Sequence, residues 1–278
     1  MLNIVRSDLF KIRKGKALYG VLLGTLVLLI LVAGVWRYFQ SSSYKENVAA
    51  QQQDQEVSGI ELEGVEELLP SNGGEFLTMM HEEMGMVLLF FLLPFIIAVF
   101  GGDYAAGTYR NLLSYHSERG KIYMAKLITS AILTIVMLLS FSLFSMAIGG
   151  IVFGLDGFTS AVVFGAVKAL LLMFPVLLAL LSVGHCIMAL TKKISATIAI
   201  YLVGLSFSGL IMQVPAMLFP KLEWVTELDL TGSITTVAQY AMDSKVKIMV
   251  PMVFSLILIV GTYIFGTIRY KTTDFDFN

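Results

Sequence analysis

The sequence predicts an all-α integral membrane protein, and its composition and its long apolar runs are the basis for that fold class. Of 278 residues, 57% are hydrophobic and 14% are charged, with a mean hydropathy of +0.81. Soluble domains carry about 25% charged residues. Several apolar runs reach the roughly 20 residues that a helix needs to cross a hydrocarbon core of about 30 Å. Runs of this length favour a helical bundle over a barrel of short alternating strands.

Six membrane-spanning helices are expected, and the distribution of charge orients them. They are predicted at 17–38, 84–100, 127–153, 169–190, 196–218 and 248–268, within a single transmembrane domain covering 1–278. If both termini are cytoplasmic, 13 of the 19 Lys and Arg residues fall inside, and 15 of the 20 acidic residues fall outside. Because a Lys/Arg excess marks cytoplasmic loops, both termini are predicted to lie in the cytoplasm.

Residues 1–16 are predicted to form an amphipathic elbow helix before the first span. Apolar residues at three- and four-residue steps alternate with basic residues, which is typical of a helix lying in the membrane interface. The face consists of Leu2, Val5, Leu9 and Ile12. A basic cytoplasmic tail that only orients the chain is the alternative.

Two extracellular segments are expected, at 40–83 and 219–247. The first is rich in Glu and Gln, which favours a solvated helical extension. The alternative is an acidic vestibule for a cationic substrate, carried by Glu61, Glu63, Glu66 and Glu67. In the second segment, a Trp at 224 suits a membrane interface and an amphipathic helix is expected at 234–242.

His185 and the Met-rich run at 79–86 are the candidates for chemistry within the apolar part of the chain. His185 is predicted to hydrogen-bond a neighbouring helix, with a proton relay or a ligand contact as the alternative. The Met-rich run contains one His, and Met at helical spacing usually fills gaps in packing. No metal site is expected there.

The polar segment 101–126 lies between the second and third spans and carries a basic excess. Asp103 can cap a short helix whose apolar residues, including Leu112 and Leu113, share one face, and Gly120 can end it. The sequence therefore predicts a short amphipathic helix along the cytoplasmic surface.

No enzyme active site is expected. Residues 102–108 loosely resemble a phosphate-binding loop, but no Lys follows the second Gly and no strand precedes the segment. The inner loops offer neither a metal-ligand cluster nor a His, Asp and Ser constellation, so no catalytic residue and no bound cofactor are predicted. The single Cys excludes an internal disulfide framework.

The segment also carries a motif, Asp-x-x-x-Gly-Thr-x-x-Asn-Leu-Leu-Ser followed by Ser-Glu-Arg-Gly-Lys-Ile-Tyr-x-x-Lys. With the elbow and six spans, this motif resembles the permease subunits of bacterial type 2 ABC exporters. It is most similar to the subfamily linked to bacitracin, lantibiotic and other antimicrobial-peptide export, resistance or bacteriocin immunity. That family usually has Glu where this chain has Asp103.

The resemblance implies a coupling helix that docks into a separate ATP-binding subunit in the bacterial plasma membrane. The residues expected at that contact are Asp103, Gly107, Thr108, Arg110, Asn111, Leu112, Leu113 and Arg119. ATP and Mg would be bound by the partner. Two ATP-binding subunits and a second permease, identical or paralogous, would complete the transporter within the lipid. The expected cargo is a peptide or lipid-like drug, and no nucleic acid is expected.

Two further classes of function remain open from the sequence. One is a membrane immunity or sensor protein that binds an antimicrobial peptide without moving it. The other is an ion-coupled secondary transporter, which is disfavoured because the predicted spans lack the acidic residues that such carriers use at mid-membrane.

Overall fold

The structure is a computed structural model that describes residues 1–41, 69–83, 85–105, 107, 119–243 and 248–272. Within these ranges the chain is almost entirely helical and contains no β-strand. The α-helices are α1 (Leu2–Lys14), α2 (Lys16–Phe39), α3 (Gly73–Glu82), α4 (Leu88–Ile96), α5 (Arg119–Phe153), α6 (Ser160–Thr191), α7 (Ile194–Leu218), α8 (Leu230–Asp243) and α9 (Met249–Thr272).

Shorter helical turns connect some of these elements. A 3₁₀ turn, Gly85–Val87, leads into α4, and a π-helical turn, Ile97–Gly101, follows it. A single α-helical turn, Gly102–Ala105, comes next. A 3₁₀-helical stretch, Pro220–Leu228, which is interrupted by a kink at Leu222, connects α7 to α8.

Five helices of the described residues are long and apolar enough to cross a membrane, namely α2, α5, α6, α7 and α9. A sixth candidate consists of α3 and the run Gly85–Gly101, which are bent by 52° relative to each other. The chain is thus a multi-pass membrane protein with five or six candidate spans. The spans predicted at 17–38, 196–218 and 248–268 lie on α2, α7 and α9, and the one at 84–100 lies on the run after the bend.

Helix α3 lies within segment 40–83, for which the sequence predicts a solvated helical extension, and it differs from that prediction because one of its faces is buried. Asn72 caps it by accepting a hydrogen bond from the backbone N–H of Glu75 at 2.9 Å. Its buried face includes Phe76, Leu77, Met80 and His81. Two glycines in a row are typical of a turn, but here they begin the helix. They allow close approach to the turn after α5, where the N–H of Gly74 donates to the Asp156 carbonyl at 3.2 Å.

Helix α6 is continuous over 32 residues, so it begins well before the predicted span at 169–190. Thr159 caps it by accepting from the N–H of Val162. At 1.5 Å per residue, α6 is about 48 Å long, which exceeds the hydrocarbon thickness. Its first turns can therefore extend beyond the apolar layer. Lys168 contacts α8 there, donating to the Tyr240 carbonyl at 3.3 Å and lying 4.4 Å from the ring centroid.

Close helix packing holds the centre of the bundle together. A Cβ at Gly184 of α6 would overlap Ile96 of α4, and one at Gly266 of α9 would overlap the ring of Tyr123 on α5. His185 is fully buried, and its Nε2 lies 3.2 Å from the hydroxyl of Ser130 on α5. This contact agrees with the interpretation of His185 as a histidine hydrogen-bonded to a neighbouring helix.

Candidate functional site

The candidate site lies at the end of the bundle where α1 meets the π-helical turn and the first turns of α5. Helix α1 packs on the protein through Ile4, Val5, Asp8 and Ile12, which are all buried. Of the predicted elbow face, Val5 and Ile12 are buried and Leu9 is partly buried, whereas Leu2 is 73% exposed. The buried stripe therefore runs beside the predicted one, and it contains a carboxylate.

Lys126 is the centre of an ion cluster on this end of the bundle. Only 1% of its surface is exposed, and its ammonium lies 3.0 Å from Oδ1 and 2.9 Å from Oδ2 of Asp8. It also donates a hydrogen bond to Oδ2 of Asp103. Lys126 lies one helical turn after Ile122, which is also buried, so the ammonium stays on the face of α5 that points into the bundle.

Asp103 receives a second cation from α1. The ammonium of Lys11, which is half exposed, lies 3.1 Å from Oδ1 of Asp103, while Asp103 itself is only 5% exposed. Asp103 lies in the helical turn Gly102–Ala105, directly after the π-helical turn. Two carboxylates and two ammonium groups thus form one cluster with no net charge, called the ion cluster below: Asp8, Lys11, Asp103 and Lys126.

The two carboxylates of the ion cluster differ in how well their charges are compensated. Burial raises the pKa of Asp8, and the nearby ammonium of Lys126 offsets this only in part. Burial acts in the same direction on Asp103, but Lys126 and Lys11 together outweigh it, and the pKa of Asp103 is lowered. Asp103 is therefore the carboxylate that stays ionised, and Asp8 is the carboxylate that is more easily protonated.

The ion cluster closes a loop in the chain. Asp103 comes shortly before the segment 106–118 and Lys126 comes shortly after it, so their ion pair joins the two ends of that segment. Asp8 and Lys11 attach α1 to the same point. Breaking a buried ion pair by removing one partner typically costs about 3–5 kcal/mol. A displacement of the segment would thus be resisted by, or transmitted to, α1 and α5.

Aromatic side chains pack near the ion cluster, three residues before Asp103 and three residues before Lys126. The ring of Phe100, in the π-helical turn, lies 5.5 Å from that of Tyr123 and 4.5 Å from that of His185. Tyr123 in turn lies 6.2 Å from Tyr263 on α9. These packed rings connect the π-helical turn and the start of α5 with α6 and α9.

Most of the predicted coupling residues lie outside the described residues: Thr108, Arg110, Asn111, Leu112 and Leu113. Gly107 is exposed and has a left-handed backbone (φ 64°), which suits a glycine at a sharp change of direction. Arg119 begins α5. Asp103, predicted as a helix cap near a partner, is buried in the ion cluster, so any part it plays in docking would be through its neighbours.

Sequence reasoning did not identify Asp8, Lys11 and Lys126 as partners of Asp103. A signal for Asp8 was present, since it lies four residues from both Ile4 and Ile12 and therefore on one helix face. A carboxylate in the apolar stripe of a helix needs a cation from another element. Which lysine supplies that cation depends on a contact 118 residues away. In the described part of the chain, no group of three or more His, Cys, Asp or Glu residues could hold a metal ion.

Comparison with known proteins gives one informative result. A model of the family described as ABC-2 family transporter protein matches residues 2–275, which is nearly the whole chain. No curated protein and no solved structure matches the chain.

Proposed function

The chain belongs to the ABC-2 transporter family, and from that premise we propose that it is the permease of an exporter driven by a separate ATP-binding subunit. Membership supports the permease role and implies an ATP-binding cassette partner, since membrane subunits of this family are not themselves ATPases. The proposal adds the site of coupling, the direction of transport and the class of cargo.

The ion cluster is the observation that supports the proposed site of coupling. Segment 106–118 contains most of the predicted docking residues, and the Asp103–Lys126 ion pair joins its two ends to α1. A partner that binds this segment and closes on ATP would act on that ion pair. Helix α5 extends 35 residues from there to the far end of the bundle, so movement at its start can be passed along a rigid element.

This assignment places the ion cluster on the cytoplasmic side, where ATP is found. The charge distribution of the sequence favours the same orientation. The proposed transporter has two permeases, identical or paralogous, and two ATP-binding subunits, which bind ATP and Mg. The proposed cargo is an amphipathic peptide or lipid-like drug of the antimicrobial class, moved outward across a bacterial plasma membrane.

Co-purification with the ATP-binding subunit tests the docking part of the proposal. The two leucines of the predicted docking face are changed together, Leu112→Asp and Leu113→Asp, in the full chain co-expressed with the ATP-binding subunit. Placing charges on an apolar contact should abolish co-purification and the associated ATP hydrolysis, while the permease still folds in the membrane.

The matched control is Leu155→Asp, in the turn between α5 and α6, where the leucine is 80% exposed. This control should co-purify as the wild type does. Undiminished binding of the ATP-binding subunit by the Leu112→Asp, Leu113→Asp variant would show that docking occurs elsewhere on the chain.

A further inference from the structure

A cavity of about 420 Å³ lies between α4, α7 and the start of α8, well away in sequence from the ion cluster. Its lining is mostly apolar and includes Leu89, Phe90 and Leu210. Polar groups are contributed by Ser206, Gln213, Asp229 and Thr231. A second cavity of about 220 Å³, between α6, α7 and α9, shares Leu205 and Thr231 with it. Binding sites for small organic molecules combine these features, an apolar wall with a few polar groups and a volume of some 300–1,000 Å³.

Asp229 supplies the only carboxylate among the described residues that line the larger cavity. Its Oδ1 accepts hydrogen bonds from the hydroxyl of Ser208 at 2.9 Å, and from the hydroxyl and N–H of Thr231 at 2.7 and 3.1 Å. Its Oδ2 accepts one, from the N–H of Gly232 at 3.0 Å. A carboxylate has about four acceptor sites, so the unused capacity lies on Oδ2.

Oδ2 points toward α7. A Cβ built on Gly209, another residue that lines the cavity, would lie 3.5 Å from this oxygen. The missing side chain at Gly209 thus leaves space beside the oxygen that can still accept a hydrogen bond.

The charge of Asp229 has no counter-ion among the described residues. The carboxylates of Asp8 and Asp103 both lie against lysines, whereas Asp229 forms no ion pair with the described part of the chain. Among the described residues, its negative charge is offset by neutral donors and by the N-terminus of α8. A negative charge beside an apolar wall favours a ligand with one positive charge and an apolar body.

We propose that this cavity binds a hydrophobic monovalent cation, with Asp229 as the group that recognises its charge. The proposal rests on the proposed function only in assigning part of the cargo path to this cavity. On this proposal, α4, α7 and α8 would bind a cationic, apolar portion of the cargo.

The competing explanation is that Asp229 serves only to cap α8, and Asp229→Asn separates the two roles. Asn caps helices about as well as Asp, because its carbonyl oxygen can keep the bonds that Oδ1 accepts from Ser208 and Thr231, although the bond from the N–H of Gly232 to Oδ2 is lost. The substitution removes the charge and keeps the cap at Thr231. Asp156→Asn is the matched control, since it removes an exposed carboxylate from the turn between α5 and α6.

The test uses two ions of the same size and shape and opposite charge, tetraphenylphosphonium and tetraphenylborate. Binding of each labelled ion is measured by equilibrium dialysis against the full chain in lipid nanodiscs, without ATP, with binding to empty nanodiscs subtracted. The wild type and Asp156→Asn should bind the phosphonium ion in preference to the borate. Asp229→Asn should weaken phosphonium binding about tenfold and should not weaken binding of the borate ion, because the lost charge attracts the first ion and repels the second. Gly209→Leu, which fills the space beside Oδ2, should reduce binding of the phosphonium ion.

Equal binding of the phosphonium ion by the wild type and Asp229→Asn would overturn the proposal, as would equal binding of both ions by the wild type. Neither result bears on docking of the ATP-binding subunit, which is measured separately by co-purification. Conversely, binding that depends on Asp229 in a chain that recruits no ATP-binding subunit would support this cavity and refute the proposed function.

Discussion

Lys126 and Asp8 are separated by 118 residues in sequence, yet the ammonium of one lies 2.9 Å from the carboxylate of the other inside the bundle. This contact attaches the first helix of the chain to the start of the longest one. It also makes Lys126 a buried cation shared by two carboxylates, since Asp103 accepts from the same ammonium.

Lys126→Met is expected to be strongly destabilising. It leaves two carboxylates close together in the bundle without their shared cation, and the loss of one partner from a buried pair costs about 3–5 kcal/mol. Thermal unfolding in detergent measures this, with Lys221→Met as a control at an exposed lysine. The triple variant Asp8→Asn, Lys126→Met, Asp103→Asn should recover most of the loss because no buried charge lacks a partner. Wild-type stability of Lys126→Met alone would show that the ion cluster carries little energy.

The two carboxylates should differ in the pH dependence of their variants. Asp8 has a raised pKa in the folded chain, so its contribution to stability is present below its ordinary value of 3.8 and is lost as the pH rises through the raised value. Asp103 has a lowered pKa, so its contribution is present above 3.8 and is lost only as the pH falls further.

Raising the pH from about 4 to about 7 should therefore stabilise Asp8→Asn relative to the wild type. Over the same range, the loss of stability caused by Asp103→Asn should stay nearly constant. Unfolding midpoints of the three proteins at both pH values provide the comparison, in which titrating groups outside the ion cluster cancel. If Asp8→Asn instead became less stable relative to the wild type as the pH rises, the pKa of Asp8 would not be raised, and the prediction would be wrong.

Gly266 is expected to be required for the packing of α9 against α5. A Cβ there would overlap the ring of Tyr123, and forcing extra volume into a packed core costs about 1–3 kcal/mol. Gly261 lies on the same helix, and a Cβ added there would meet no atom within 4 Å, so it offers a matched control. Gly266→Ala should lower the unfolding temperature, whereas Gly261→Ala should leave it unchanged or raise it because Ala favours helix. Equal effects at the two positions would contradict the close approach.

The sequence predicted the helical class and most of the candidate spans, because about 20 apolar residues in a row have few alternatives in a membrane. It did not predict that α3 packs into the bundle, because segment 40–83 is rich in Glu and Gln and favours a solvated helix. The contacts of Gly73 and Gly74 with the turn after α5 are distant in sequence. The buried face of α1 lies about one residue away from the predicted apolar face of the elbow helix, because the prediction did not include Asp8. Asp8 can be buried on that face because Lys126 pairs with its carboxylate. A contact between residues this far apart in sequence cannot be read from local periodicity.

The cavity beside Asp229 was also beyond prediction from the sequence. From the sequence, the candidate site for a cationic substrate was the acidic run at 61–67, which lies outside the described residues. Asp229 is one of four acidic residues in the second external segment. Its position against the apolar wall of α7 depends on how the stretch Pro220–Leu228 returns the chain to the bundle.

Hydrogen exchange during the ATP cycle tests most directly whether a partner moves this bundle through segment 106–118. The permease is assembled with its ATP-binding subunit in nanodiscs, and amide exchange in α1 and at residues 119–126 is compared between the nucleotide-free and the vanadate-trapped states. Protection in both regions should change on trapping in the wild type and in Leu155→Asp, and should stay constant in Leu112→Asp, Leu113→Asp. Unchanged protection in a wild-type complex that hydrolyses ATP would contradict coupling through the ion cluster.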